Sequence, residues 1–434
     1  MGSLRIKIRT LNLRLAGNGL LVLVLLCSIR ARAGKQHPAK DRNLPAYTKP
    51  IRIFSADKEG YNSYRIPCMA RAKNGNLIAF AEGRKYSVLD YGDIDLVYKI
   101  SHDNGQSWSK LKVVISDGEG TWGNPAAVTD EQTGRIWLFL SWNDERHSQH
   151  GGRFNGMEFM PVNTWGQRRL FVTCSDDNGI TWTRPVDYTG TLVPPDYTWD
   201  AVGPGIGIQI VQGKYKGRLI IPAGRRNIYS DDHGTTWKYR RIPPGTFEGT
   251  VTELSNGQLM RNDRGVGARW SGSHTRFISR GTLEQGFAAF ADDPDLPDPR
   301  CQAAVLRYAF SPNLLLFLNP AQHEKDGTAN RCLMTVRLSE DDGDSWKYAR
   351  LLYPEVNVDS LCNGYGGYSS MIRTADGFIG ALTEFNHNVK KVPVADKRFS
   401  IDFHRFNLEW VRTGKDQPWH TAIRRNTKNK GTYL

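Results

Sequence analysis

The chain has 434 residues, 39% of them hydrophobic, with 12 Trp, 17 Tyr, 43 Gly and 21 Pro, and it carries a formal net charge of +14. Its length admits one large domain or two to three average ones, and its Gly and Pro content suits a body with many turns. No interior stretch stays apolar for the roughly 18 residues that a membrane helix needs, so the body reads as soluble and globular.

The amino terminus has the character of an export signal. Arg5, Lys7, Arg9 and Arg14 precede an apolar run over 20–26, and no acidic residue appears before Asp41. Ala31-Arg32-Ala33 then offers the small-x-small pattern that export peptidases cut. We expect a cleaved signal peptide over 1–33 and a short polar linker over 34–47. The protein is then exported (secreted, periplasmic or cell-surface), with no stable membrane span after signal removal. The cut removes six basic residues and takes the net charge from +14 to +8.

Beyond the linker, segments such as 94–100, 135–140 and 219–222 are short, β-rich and bounded by turn signals, and few stretches show a helical period. Four segments share the pattern S-x-D-x-G-x-[S/T]-W: 101–108 (SHDNGQSW), 175–182 (SDDNGITW), 230–237 (SDDHGTTW) and 339–346 (SEDDGDSW). Their aspartates, Asp103, Asp177, Asp232 and Asp341, lie 74, 55 and 109 residues apart, as if one repeat in the last gap had lost its signature. Each box suits a hairpin turn, in which Asp bonds nearby backbone amides, Gly permits positive φ and Trp packs back over the turn. Repeated four-strand units at this spacing indicate an all-β, six-bladed β-propeller over 48–411, with blades of roughly sixty residues.

The remaining features exclude more than they suggest. A basic cluster over 412–430 forms a carboxyl-terminal tail (412–434), and a solvated tail plus an anionic substrate account for the positive charge without nucleic acid. Without Cys27, the set Cys68, Cys174, Cys301, Cys332 and Cys362 is odd and scattered, which is no disulfide framework. His147-Ser148-Gln149-His150 is a lone H-x-x-H in a polar stretch and reads as loop.

Several motifs carry a family resemblance. Tyr64-Arg65-Ile66-Pro67, the central segment Gly203-Pro204-Gly205-Ile206-Gly207-Ile208-Gln209, the four boxes and the closing segment 403–410 (FHRFNLEW) occur in one order over nearly the whole mature chain. Together they resemble bacterial-type exo-α-sialidases (neuraminidases) with Asp-box repeats. In that family the boxes are structural turns away from the active site, and 403–410 matches the strand that closes the ring against the first blade.

The substrate's chemistry explains the residues that the resemblance singles out. A sialoside bears a carboxylate on its anomeric carbon, and Arg supplies a planar, always-charged fork suited to it. The resemblance places such arginines at Arg65, Arg264 and Arg331. A carboxylate nucleophile would meet like charge at that carbon; a neutral Tyr avoids this but, with a reference pKa near 10, needs a base. Tyrosine nucleophiles are the family's known exception to the two-carboxylate scheme. The resemblance assigns Tyr368 as nucleophile, with Tyr365 its local rival, and Glu248 as base, with Glu253 its rival. It assigns Asp90 as general acid over Asp93 and Asp95, and Glu384 as the acid that orients Arg65. Asn124 stands where several bacterial relatives have Asp, which puts preference among sialic acids in question, and Trp122 is a candidate wall of the N-acetyl pocket. The implied activity is retaining hydrolysis of terminal sialic acids from glycoproteins, glycolipids or oligosaccharides, through a tyrosyl-sialyl intermediate and with no metal or organic cofactor. A trans-sialidase, or a catalytically silent propeller that binds glycans, are the competing expectations.

Overall fold

The computed structural model describes residues 45–267, 273–322, 331–357, 360, 362–387 and 396–414. The expected signal peptide, most of the linker and the tail beyond Gly414 lie outside them. Short strands rich in β-branched and aromatic residues alternate with tight turns in the described residues, and they pair into antiparallel sheets that make six blades of a propeller. The innermost strands are Ser63–Arg71, Gly120–Thr129, Ile208–Gln209, Thr246–Glu253, Ala304–Phe310 and Tyr365–Arg373. Ser63–Arg71, packed on both faces, is buried from its first residue to Ala70.

The ring closes differently from the expectation. Phe399–Phe406 is the third strand of blade six, and its outer neighbour is Tyr47–Phe54 from the amino-terminal end of the described chain. Closure is therefore a pairing of the first and last strands of the described residues within one blade. Residues 408–412 do not continue the strand but form a short helix, capped by the Asn407 side chain, with Trp410 and Val411 buried. The expected tail thus begins with residues tied to the body, since Arg412 donates to Glu340 at 2.9 Å.

Apolar side chains pack between neighbouring blades rather than around one centre. Phe139 and Trp137 of blade two, for example, meet Ile221, Ile228 and Trp237 of blade three. The four boxes are the turns between third and fourth strands. In the box of blade two, Asp177 accepts from Ser175 Oγ at 2.8 Å, Thr181 N at 2.9 Å and Thr181 Oγ1 at 2.6 Å. Asn178 and Gly179 both have positive φ, as a type I′ turn requires, and a Cβ on Gly179 would strike Ile78 of blade one at 2.5 Å. Trp182 meets Phe80 edge-on, again across the blade boundary. Blades four and six lack the box for different reasons. Blade four turns through 283–285 without the motif, and blade six takes its outer strand from the other end of the chain, so it has no such turn.

One expectation about the cysteines needs correction. Cys332 and Cys362 form a disulfide, while Cys68, Cys174 and Cys301 are buried thiols. The two partners lie 30 residues apart in sequence, Cys332 just before the third strand of blade five and Cys362 just before the first strand of blade six.

Candidate active site

Strand direction decides where the chemistry gathers. The boxes lie where third strands end, for example after Ser101; the entrances of the innermost strands lie at the opposite face. Arg65 stands at the start of Ser63–Arg71, Glu248 at the start of Thr246–Glu253 and Tyr368 in Tyr365–Arg373. Arg264 and Glu384 come from the ends of the second strands Leu259–Gly265 and Ile379–Asn386, and Arg331 precedes the third strand of blade five. These side chains converge on a bowl of about 460 Å³.

Tyr368 is the centre of that bowl. Its hydroxyl donates to Glu248 Oε1 at 2.6 Å and accepts from Arg264 Nη1 at 2.9 Å, while Arg264 also bonds Glu248. The guanidinium carbons of Arg65 and Arg331 lie 5.4 and 5.2 Å from its ring centroid. Burial and the Glu248 carboxylate push the phenol well above its ordinary pKa, against the pull of Arg264 and Arg331. The hydroxyl is therefore protonated in the free protein, with an acceptor already in contact.

Beneath it, fully buried Glu384 is an anchor. It binds Arg65 through both oxygens (3.1 and 3.2 Å) and accepts from the backbone N–H of Ile66 and of Tyr368, each at 3.0 Å. Burial would raise its pKa, but Arg65 and these donors hold it below the ordinary value. Gly366 and Gly367 make this approach possible: a Cβ would sit 2.0 Å from the Arg331 carbonyl at the first and 2.4 Å from Glu384 Oε2 at the second.

Asp90 comes from the loop between Leu77–Arg84 and Ile94–Ser101. Its carboxylate meets Arg84 at 2.8 Å and Arg65 at 3.2 Å, yet its side chain is 73% exposed to the open bowl. Desolvation among its neighbours works against ionisation, but Arg84 and Arg65 outweigh it and hold the carboxyl at about 2. Buried Arg84 is in turn held by Glu82 at 2.6 Å.

The rivals lie elsewhere. Tyr365 packs on Tyr353 and Phe385; Asp93 bonds Lys85; Asp95 accepts from Tyr61; and Glu253 accepts from Val211 and Gln212 at the far end of its strand. Trp122 is also outside the bowl. Its ring is buried against Phe171 and Trp142, so as a pocket wall it is replaced by Trp199, which does line the bowl. Asn124 is in the bowl, where its Oδ1 accepts from Arg168 at 2.7 Å. The Arg168 guanidinium lies over Trp199 at 4.5 Å, and burial lowers it to about 10. A neutral amide thus faces a buried cation that the sequence reading missed.

Glu82 and Arg84 were missed as well. Their signal was available: two charged residues at i and i+2 in an otherwise apolar strand share one face. Arg168 and Trp199 had no comparable local signal. Six arginines line the bowl against Glu82, Asp90 and Glu248, an arrangement that favours an anionic ligand.

Comparisons with known proteins agree with this picture. The BNR repeat-like domain model matches residues 75–381. The chain is 42% identical to an exo-alpha-sialidase of Aspergillus fumigatus over 82% of this chain and 86% of that protein. It is 41% identical to an exo-alpha-sialidase of Arthroderma benhamiae over 91% and 97% of the two chains. Among solved structures, the Hadza microbial sialidase Hz136 superposes with a TM-score of 0.65 at 25% identity, covering 83% of this chain and 69% of that one.

Proposed function

This chain belongs to the exo-α-sialidase family, and we propose that it releases terminal sialic acids with retention of configuration through a covalent intermediate on Tyr368. The observation that carries the reading is the 2.6 Å hydrogen bond from Tyr368 to Glu248, set among Arg65, Arg264 and Arg331. The three arginines receive the substrate carboxylate and fix the anomeric carbon over the phenol. Glu248 takes the phenolic proton as the Tyr368 oxygen bonds that carbon, and Asp90 protonates the glycosidic oxygen as its bond breaks. Water activated by Asp90 then displaces Tyr368, which recovers its proton from Glu248. Two inversions give net retention.

Asp90 at about 2 is ionised in the free enzyme and unsuited to give a proton. A carboxylate bound among the arginines cancels part of the field that holds Asp90 down. Occupancy of the triad therefore raises the acid toward its working state. NMR of a running reaction tests the scheme: the first-formed anomer should be α. A β first product would overturn it.

We also propose that the protein is exported. The basic and apolar segment before Ala33 and the Cys332–Cys362 disulfide both fit an oxidising compartment. Protein recovered from the medium or cell surface should begin after Ala33 by terminal sequencing, and a product that retains Met1 would refute cleavage.

A further inference from the structure

The scheme above gives the Cys332–Cys362 disulfide no part, yet its place is specific. Cys332 directly follows Arg331, and Cys362 stands three residues before Tyr365, where the strand of Tyr368 begins. The three arginines around Tyr368 are held in unlike ways. Arg65 pairs with Glu384, and Arg264 pairs with Glu248. Among the described residues Arg331 forms no ion pair, and its guanidinium donates to the Arg300 carbonyl at 3.2 Å. Arg65 and Arg264 line the same bowl and repel it with like charge. With no carboxylate to anchor its head, Arg331 depends on its backbone for its position.

That backbone is held from blade six. Residues 331–333 precede the strand Met334–Ser339, and Leu333 O accepts from Ala321 N at 3.1 Å. The Arg331 carbonyl itself rests against Gly366. Two residues after Cys362, Gly364 O accepts from Asn386 N at 2.8 Å, which ties the sulfur pair to the strand that carries Glu384. We propose that the Cys332–Cys362 disulfide is a positioning element of the carboxylate clamp: it holds Arg331 against blade six beside Tyr368, and its reduction weakens binding of the substrate carboxylate. The inference rests on Arg331 being a clamp residue of the proposed sialidase. Cys332 is buried and Cys362 half-buried, so a small dithiol meets the pair from the Cys362 side.

Dithiothreitol breaks the S–S bond to two thiols, supplying both electrons and both protons as it closes to its own cyclic disulfide. The test titrates three forms of the full protein: oxidised, reduced in this way, and a Cys332→Ala/Cys362→Ala double variant. Each receives a sialic-acid glycal and a glycal whose carboxylate has been reduced to an alcohol. Loss of the link should weaken the carboxylate glycal by about five- to tenfold and the alcohol by no more than about twofold. KM for a sialoside should rise by a similar factor with kcat within about twofold, because the clamp grips substrate and transition state alike. In an Arg331→Lys background, removing the disulfide should weaken binding by no more than about twofold further. Equal losses on the two glycals, full additivity with Arg331→Lys, or unchanged affinity with both thiols shown free by mass would overturn the proposal. So would unfolding of both the reduced protein and the double variant at the assay temperature, since the link would then be structural. The premise fails in a different way. If Arg331→Lys keeps glycal affinity with the disulfide intact, the clamp reading falls and this one with it. If Arg331→Lys loses affinity and removal of the disulfide does not, the positioning role alone falls.

Discussion

The two faces of the propeller use the same strands in opposite ways. At the box face, Asp177 is satisfied by partners no more than four residues away, and the pattern recurs in blades one, two, three and five. At the bowl face nothing repeats, and Tyr368 is bound to Glu248 across 120 residues and Arg65 to Glu384 across 319. The boxes stabilise a turn and seal a blade boundary; the bowl assembles chemistry that no single blade contains. If this division is sound, bowl substitutions should reduce activity at nearly constant stability, and box substitutions should do the reverse.

Tyr368→Phe should show the largest effect. The ring and its packing remain and only the attacking oxygen leaves, so turnover should fall by about a thousandfold or more. Binding of a sialic-acid glycal should persist and the melting temperature should hold. Near wild-type turnover would remove the nucleophile from the scheme. Asp90→Asn comes next, and its effect should depend on the leaving group. Loss of the proton donor should cost about 10²–10⁴-fold on methyl α-sialoside, yet far less on an aryl sialoside whose phenolate departs without a proton. Equal losses on both would assign Asp90 to binding instead.

Arg331→Lys sharpens the comparison because it keeps the charge and removes the planar fork. Losing charge-assisted, geometry-dependent bonds should weaken glycal binding by about 1.5–3 kcal/mol, or roughly tenfold to a hundredfold. Stability should shift little, since among the described residues the guanidinium donates to the exposed Arg300 carbonyl at 3.2 Å. Intact affinity, or collapse of the fold, would make Arg331 a structural residue of blade five.

The same contrast explains what could be read from the sequence. The boxes were legible because their hydrogen bonds are local, so the spacing of Ser, Asp, Gly and Trp carries the whole turn. The family resemblance singled out Arg65, Arg264, Arg331, Tyr368, Glu248 and Glu384, which the structure gathers around one bowl. Trp122 was misplaced because an aromatic near a site motif looks alike whether its ring faces cavity or core. Strand pairing with Trp142 settles which. Arg168, Trp199 and the Cys332–Cys362 pair depend on blade-to-blade contacts that leave no local mark, and ring closure by Tyr47–Phe54 joins it to Phe399–Phe406, some 350 residues away.

The smallest effect on activity should come from the box itself. Asp177→Ala removes the acceptor for Ser175 Oγ, Thr181 N and Thr181 Oγ1, but the turn lies at the surface, where water takes over part of this bonding. The expected cost at neutral pH is about 1–2 kcal/mol, a fall in melting temperature of roughly 2–4 °C, with kcat/KM within about twofold of wild type. Its pH dependence gives a second check. Burial opposes ionisation of Asp177, but the Thr181, Ser175 and Ile180 donors outweigh it and hold the carboxyl at about 2, below the ordinary 3.8. A carboxyl depressed in the folded state stabilises in full above its unfolded value and loses that contribution as pH falls through its folded value. The ionised part of the wild-type advantage should therefore be constant from neutral pH down to about 4 and shrink between about 4 and 2. Melting curves of both proteins across that window measure it. An advantage that grew on acidification would contradict the sign. A tenfold loss of kcat/KM at unchanged melting temperature would show that the two faces are coupled.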